Sequence, residues 1–160
     1  MPVTIEQRGL FYEELQIDTT YRHAPGRTLG ESDNTLFSTL TMNSQSLHLD
    51  AEASAATEFG ERLINSMLTL STLIGLTVGQ LTQGTTIANL GFGEIRFPRP
   101  VFAGDTLYAS TTVVSKRLST SRPDAGIVVF EHTGLNQHGD VVAVALRSAM
   151  MRRELVGDRL

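Results

Sequence analysis

Hydrophobic and polar positions change their period along this chain. From residue 62 to 84, RLINSMLTLSTLIGLTVGQLTQG sets Leu63, Met67, Leu70 and Ile74 at helical spacing, while Ile64, Leu68, Leu73 and Leu76 widen the stripe until most of the circumference is apolar. A helix of that kind has to be wrapped by other structure. After Gly104 the period falls to two: in GDTLYASTTVVSKRL, Leu107, Ala109, Thr111 and Val113 face one way and Tyr108, Ser110, Thr112 and Val114 the other. GIVVFEHTGLNQ from Gly126 and DVVAVALRSAMMRR from Asp140 repeat the alternation, with His138-Gly139 and Asp140 as the hairpin turn between them. TTIANLGFGEIRF from Thr85 predicts a fourth strand, which glycines at 91 and 93 loosen or bulge. Ahead of the helix, LFYEELQID and YRHAPGRTL predict extended structure. Gly30, followed by Glu31, Ser32 and Asp33, opens a short helix through about Leu40, with acidic groups at its positive end.

A long helix followed by antiparallel strands with short turns is an α+β arrangement of two layers. One sheet edge is left in need of a partner, and a homodimer that continues the sheet from one subunit to the next supplies it.

Composition narrows the function. At 160 residues and 41% hydrophobic, the chain is expected to form one domain, 1–160, with a real core. A net charge of −4, scattered basic residues and 6% aromatic content argue against nucleic acid as a partner. Without cysteine there is no disulfide, thiolate nucleophile or sulfur-bound metal, and MPVTIEQRG lacks the order of a signal peptide, so a cytoplasmic location is expected. The segment 62–84 is broken by Asn65, Ser66, Thr69, Ser71, Thr72 and Gln80, so it lacks the roughly 18 strongly apolar residues of a membrane span.

The candidate chemistry lies in LTMNSQSLHLD, residues 40–50, polar in its middle, with Asn43 five residues before His48. The stretch is either the seat of a working base or a polar loop that contains a histidine. His23 in a proline- and glycine-containing loop, His132 on a strand and His138 in a turn read as structural or solvated, and none of them pairs at metal-ligand spacing. GFGE, 91–94, lacks the third glycine of a dinucleotide loop, and no serine sits in a Gly-x-Ser-x-Gly elbow.

Three stretches, GRTLGESDNTLFSTLTMNSQSLHLD (26–50), FGERLINSMLTLS (59–71) and IRFPRPVFAGDTL (95–107), carry a resemblance to the MaoC-like dehydratases, a hydratase branch of the hotdog fold. RFPRPV followed by GDTL is the more specific marker, with Pro98, Pro100 and Gly104 setting a bend and a turn. The family pattern is Ser or Thr, Gly, Asp, any residue, Asn-Pro, any residue, His. Laid on this chain, it puts the histidine at His48, the aspartate at Asn43 and the Asn-Pro pair at Gln45-Ser46. Where relatives have His-Gly at the start of the long helix, this chain has Asn65-Ser66.

The resemblance implies a central helix wrapped by a curved sheet and reversible addition of water to a 2-enoyl thioester of coenzyme A. It implies no cofactor beyond the coenzyme A of the substrate. That reaction needs a base for water, a proton for the α-carbon and donors for the thioester oxygen. His48 is the expected base, Asn43 the group that orients water, and the Ser66 N–H the oxyanion donor. Gln45, Arg99 and Arg122 are the substrate-binding candidates. An arginine is suited to a coenzyme A phosphate or to the second carboxylate of a mesaconyl-, itaconyl- or methylmalyl-type acyl group. Two alternatives stay open. One is a non-catalytic acyl-CoA-binding or assembly subunit, which Asn43 keeps in play. The other is a thioesterase, against which stands the absence of an acidic residue from 63–81.

Overall fold

Asn65 decides where the long helix begins. In the computed structural model, which describes residues 2–154, its side-chain oxygen accepts from the Met67 N–H at 3.0 Å and caps α4, Ser66–Leu81. The start at 62 suggested by the apolar period is therefore too early, and the start at Asn65-Ser66 implied by the resemblance is the one found. Leu63 instead bridges to Phe102, and the Ile64 N–H donates to the Val101 carbonyl at 2.8 Å. The buried stripe also differs from the expected one. Thr69, Leu73, Thr77 and Leu81, four apart, are buried with Leu70, whereas Met67 is 47% exposed. Threonines serve here because their hydroxyls return to the helix's own carbonyls, Thr77 Oγ1 to Ile74 at 2.8 Å and Thr69 Oγ1 to Asn65 at 3.4 Å, leaving the methyls to pack.

The sheet contains β3, Thr86–Arg96, β4, Thr106–Leu118, β5, Ala125–Leu135, and β6, Val141–Arg152, all antiparallel. With β1, Thr20–Arg22, the order is β1-β4-β5-β6-β3, and β2, Arg27–Thr28, pairs with β4 as well. α4 packs on one face, against β4, β5 and β6. This is the expected α+β arrangement of a hotdog fold. The register of β3 shifts between Asn89 and Gly91 and again between Phe92 and Ile95, as the glycines at 91 and 93 suggest. Gly139, at φ 82, closes the hairpin between β5 and β6. No helix of the described residues is long and apolar enough to cross a membrane.

Residues 10–18 form turns rather than the expected extended structure. The segment closes the end of α4: the Gly9 N–H donates to Gln83 at 2.7 Å and the Leu10 N–H to Leu81 at 2.9 Å, satisfying carbonyls that the helix cannot. A Cβ on Gly9 would stand 2.6 Å from the Leu81 backbone, so the approach needs glycine. Ahead of α4 lie α1, Glu31–Leu40, α2, Ser46–Leu49, and α3, Ala51–Ala55. α1 starts where expected, with Asp33 accepting the Gly30 N–H at 2.8 Å. Its faces are inverted, however: Asn34 and Ser38 are buried, while Leu36 and Leu40 are exposed.

The core runs along α4 as clusters. Leu29, Ile64, Val101, Leu107 and Val142 pack near its start, Leu73, Ala109 and Ala143 at its middle, and Leu15, Leu81, Val113, Val128, Phe130, Ala149 and Met151 at its end. A buried polar link joins them: the Thr111 hydroxyl lies 2.8 Å from both His23 Nε2 and His132 Nδ1. One hydroxyl has one proton, so at least one of the two rings donates to it.

Burial, reinforced by Arg147 and His23, pushes the His132 pKa down from 6.5 to about 3, and burial lowers His23 as well. Below pH 6.5 the unfolded chain takes up protons that these native rings refuse. The His132 contribution to stability is therefore complete above that pH and is lost as pH falls towards about 3, and His23 acts in the same direction. Between about pH 6.5 and 5, before most carboxylates titrate, the unfolding free energy should fall with a slope approaching about 1.4 kcal/mol per pH unit from His132. Urea unfolding across that range should show this slope, and His132→Gln should flatten it.

Candidate active site

Buried amides build the site. Asn34 Nδ2 donates to two carbonyls, Leu63 O at 3.0 Å and His48 O at 3.2 Å, and its oxygen accepts from the Asn65 N–H at 2.8 Å. Asn65 Nδ2 donates to Ser38 Oγ at 3.2 Å. Asn34, Ser38 and Asn65 are all 5% exposed or less. Leu63 O also accepts from His48 Nδ1 at 2.9 Å. A carbonyl oxygen is acceptor only, so Nδ1 carries the hydrogen, and in the neutral ring Nε2 holds a free lone pair.

His48 and Ser66 line one cavity of about 250 Å³, with Phe59, Leu63, Thr69 and Val142 and the segment from Phe97 to Val101. Ser66 is the first residue of α4, so its N–H has no carbonyl within the helix, and Asn65 Oδ1 takes the Met67 N–H rather than this one. The lining thus includes the ring whose Nδ1 is held by Leu63 O, the first residue of α4 and apolar side chains. Among the described lining residues Arg99 carries a charge, and it is paired with Asp140 at 3.0 Å. Among the described residues that line it there is no carboxylate. Among the described residues no cluster of three or more His, Cys, Asp or Glu side chains is arranged to hold a metal.

The structure brings together His48, Ser66 and Arg99 but not the other candidates. Asn43 Oδ1 accepts from the Gln45 N–H at 3.1 Å, and the Asn43 N–H donates to Ser38 O at 2.8 Å, so Asn43 shapes the turn into α2 and is absent from the lining. Gln45 is exposed, and its side-chain oxygen accepts from Ser46 Oγ at 3.2 Å. The placing of Arg122 at a site rim needs correction. It lies in the turn between β4 and β5, held by Asp124 at 2.7 Å, while the cavity adjoins the opposite end of β4. Along a strand of 13 residues that separation is on the order of 40 Å. Asn34, Ser38 and Thr69 were not among the expected site residues. The available signal was Asn34 and Ser38 at i and i+4 of α1, which reads equally well as a solvated face.

A central helix on an antiparallel sheet, with a histidine and the helix start facing one cavity, defines the class: a hotdog protein with its site at the N-terminal end of the helix. The chain belongs to the family described as MaoC like domain, whose model matches residues 13–135. It is similar to mesaconyl-CoA hydratase of Cereibacter sphaeroides, 30% identical over 91% of this chain and 42% of that protein. The chain therefore spans less than half the length of that relative. Its fold matches the monoamine oxidase regulatory protein of Archaeoglobus fulgidus, with TM-score 0.83 and 34% identity over 94% of this chain and all of that one. It also matches a Mycobacterium tuberculosis protein with a double hotdog fold, with TM-score 0.83 and 28% identity over 94% of this chain and 46% of that one.

One position in the turn before His48 carries strain. Met42, where the family pattern has glycine, sits at φ 56 and is 90% exposed. A left-handed conformation costs a side-chain-bearing residue roughly 1–2 kcal/mol, and this side chain buries little in return. Met42→Gly should raise unfolding stability by about 1 kcal/mol once the entropy of the unfolded glycine is subtracted. Denaturant midpoints compare the two chains, and a loss of stability would show that the methionine makes contacts that outweigh the strain.

Proposed function

We propose that this chain is an acyl-CoA hydratase/dehydratase domain, adding water reversibly across a 2-enoyl thioester, with a branched or dicarboxylic acyl group such as mesaconyl as substrate. The observation that carries the proposal is the His48 Nδ1 bond to Leu63 O, which leaves Nε2 as a base in the cavity that Ser66 shares. Similarity to a mesaconyl-CoA hydratase supports the substrate class.

In the hydration direction, His48 Nε2 takes a proton from water as the oxygen bonds to C3 of the enoyl group. The C2–C3 π electrons shift towards the thioester, whose oxygen gains negative charge opposite the Ser66 N–H. The imidazolium then returns that proton to C2, and the ring is neutral again. A single ring acting as base and acid requires both additions on one face, which is a syn addition. Asn43 contributes by holding the turn that delivers His48. Arg99, ion-paired with Asp140, is the arginine of the described lining that would meet a carboxylate or a phosphate, by exchanging or sharing that partner. Coenzyme A enters as part of the substrate, and the reaction draws on no resident cofactor. A cytoplasmic location remains part of this reading.

The same reading includes a homodimer joined through β3, which lies at one end of the sheet order and exposes Leu90 and Phe92. Sedimentation equilibrium should return twice the chain mass, and a monomer at micromolar concentration would count against it.

The decisive assay follows enoyl-thioester absorbance and free thiol together on crotonyl-, mesaconyl- and itaconyl-CoA. Absorbance change without thiol release is expected, with His48→Ala losing about 10²–10⁴-fold in turnover. Ser66→Pro tests the donor. Proline is suited to the first helical position, and Asn65 already has the extended φ −56, ψ 126 that a following proline requires, so the helix should survive. Turnover should fall about 10²–10³-fold. Thiol release would mean a thioesterase, and binding without turnover in the parent chain would mean a non-catalytic subunit.

A further inference from the structure

The proposed base and donor stand on different elements. His48 belongs to α2, a four-residue helix with no buried residue, and Ser66 to the start of α4. So short a helix cannot orient an imidazole by itself. One side chain from a third element reaches both. We propose that Asn34 is a positioning residue that sets the His48 tautomer and the α4 donor together, an inference that rests on the roles given above to His48 and Ser66.

The carboxamide fits its surroundings in one orientation. Its two N–H groups meet the carbonyls of Leu63 and His48, and its oxygen meets the Asn65 N–H. Turning the amide over would set carbonyl against carbonyl and N–H against N–H. Leu63 O receives both Asn34 Nδ2 and His48 Nδ1, so both of its lone pairs are engaged. With that oxygen held, the imidazole has one bonded orientation, Nδ1–H inward. At the other end, Asn34 Oδ1 fixes Asn65, whose side chain spans Ser38 Oγ and the Met67 N–H. The Ser66 peptide is therefore tethered on both sides. Asn34 and Asn65 are at most 5% exposed, so bulk water does not stand in for a lost partner.

The bonds also say which substitutions separate the two ends. Asn34→Asp keeps an acceptor for the Asn65 N–H but turns acceptors towards the Leu63 and His48 carbonyls, which releases the imidazole end and spares the helix end. Asn34→Ser, smaller and uncharged, retains a hydroxyl but is one atom short of bridging the two carbonyls.

The test is long-range ¹H–¹⁵N correlation of the histidine rings, with His48 assigned by its disappearance in His48→Gln, alongside enoyl-CoA turnover. The parent chain should show neutral His48 as the Nδ1–H tautomer alone. Asn34→Asp should show a tautomer mixture and a turnover loss of about 10²-fold, with KM changed less than about threefold and the circular dichroism retained. If the aspartate variant fails to fold, Asn34→Ser gives the same reading. An Nε2–H tautomer in the parent, or a locked Nδ1–H tautomer with full turnover in either variant, overturns the inference. No turnover in a parent chain whose tautomer is locked, then released by the substitution, would instead overturn the hydratase reading and leave the positioning of His48 standing.

Discussion

The Leu63 peptide is where the site and the fold meet. Its N–H donates to Leu47 O at 2.8 Å, its carbonyl accepts from His48 and Asn34, and its backbone bridges to Phe102. A short helix that would not persist alone is thus pinned at both polar ends to one extended residue between α3 and α4. Ile64 follows, bonded to Val101 and buried with Leu29, Leu107 and Val142. Shifting Leu63 would break packing at the start of α4 as well as the bonds to His48. The imidazole therefore inherits the rigidity of the core rather than that of its own loop.

Burying polar groups to achieve this has a definite logic. A buried amide without partners costs about 1–3 kcal/mol, while a fully bonded one contributes modestly and rigidifies its surroundings. The cluster at α1 meets the demanding condition, since both Asn34 N–H groups, the Asn34 oxygen and the Asn65 oxygen all have partners. Turning the polar face of α1 inward leaves Leu36 and Leu40 at 67% and 77% exposure. α1 thus follows the needs of the site rather than the usual partition of apolar and polar faces.

These choices explain what could be read from the residues. The alternation in β4, β5 and β6 was legible because each strand has one face on α4 and so must repeat with period two. The glycines of β3 marked its bulges for the same local reason. Periodicity alone starts α4 too early because Leu63 and Ile64 continue the helical apolar count and Asn65 looks like one polar interruption among several, whereas the family resemblance puts the start at Asn65-Ser66, where it lies. His48 and Ser66 were found through the family pattern. Asn34 was not, since its partners lie 14 and 31 residues away in sequence and only the folded chain brings them within reach. Arg122 failed for the opposite reason: a proline-containing loop suggested a site rim, but strand length put it at the other end of the sheet.

The replacement of the family aspartate by Asn43 also gains a physical meaning on the proposed reading. Asn43 closes the turn before α2 and does not line the cavity. An amide is also no proton carrier, so both proton transfers fall to the imidazole. The tautomer of that ring then matters more than in a site with two titrating groups, because with Nδ1 still turned to the Leu63 carbonyl, a hydrogen on Nε2 would leave no base facing the cavity. A lining without carboxylates among the described residues, an arginine beside it and a doubly bonded Leu63 carbonyl belong together on that reading. On the proposed reading, the chemistry then rests on a single, firmly held histidine.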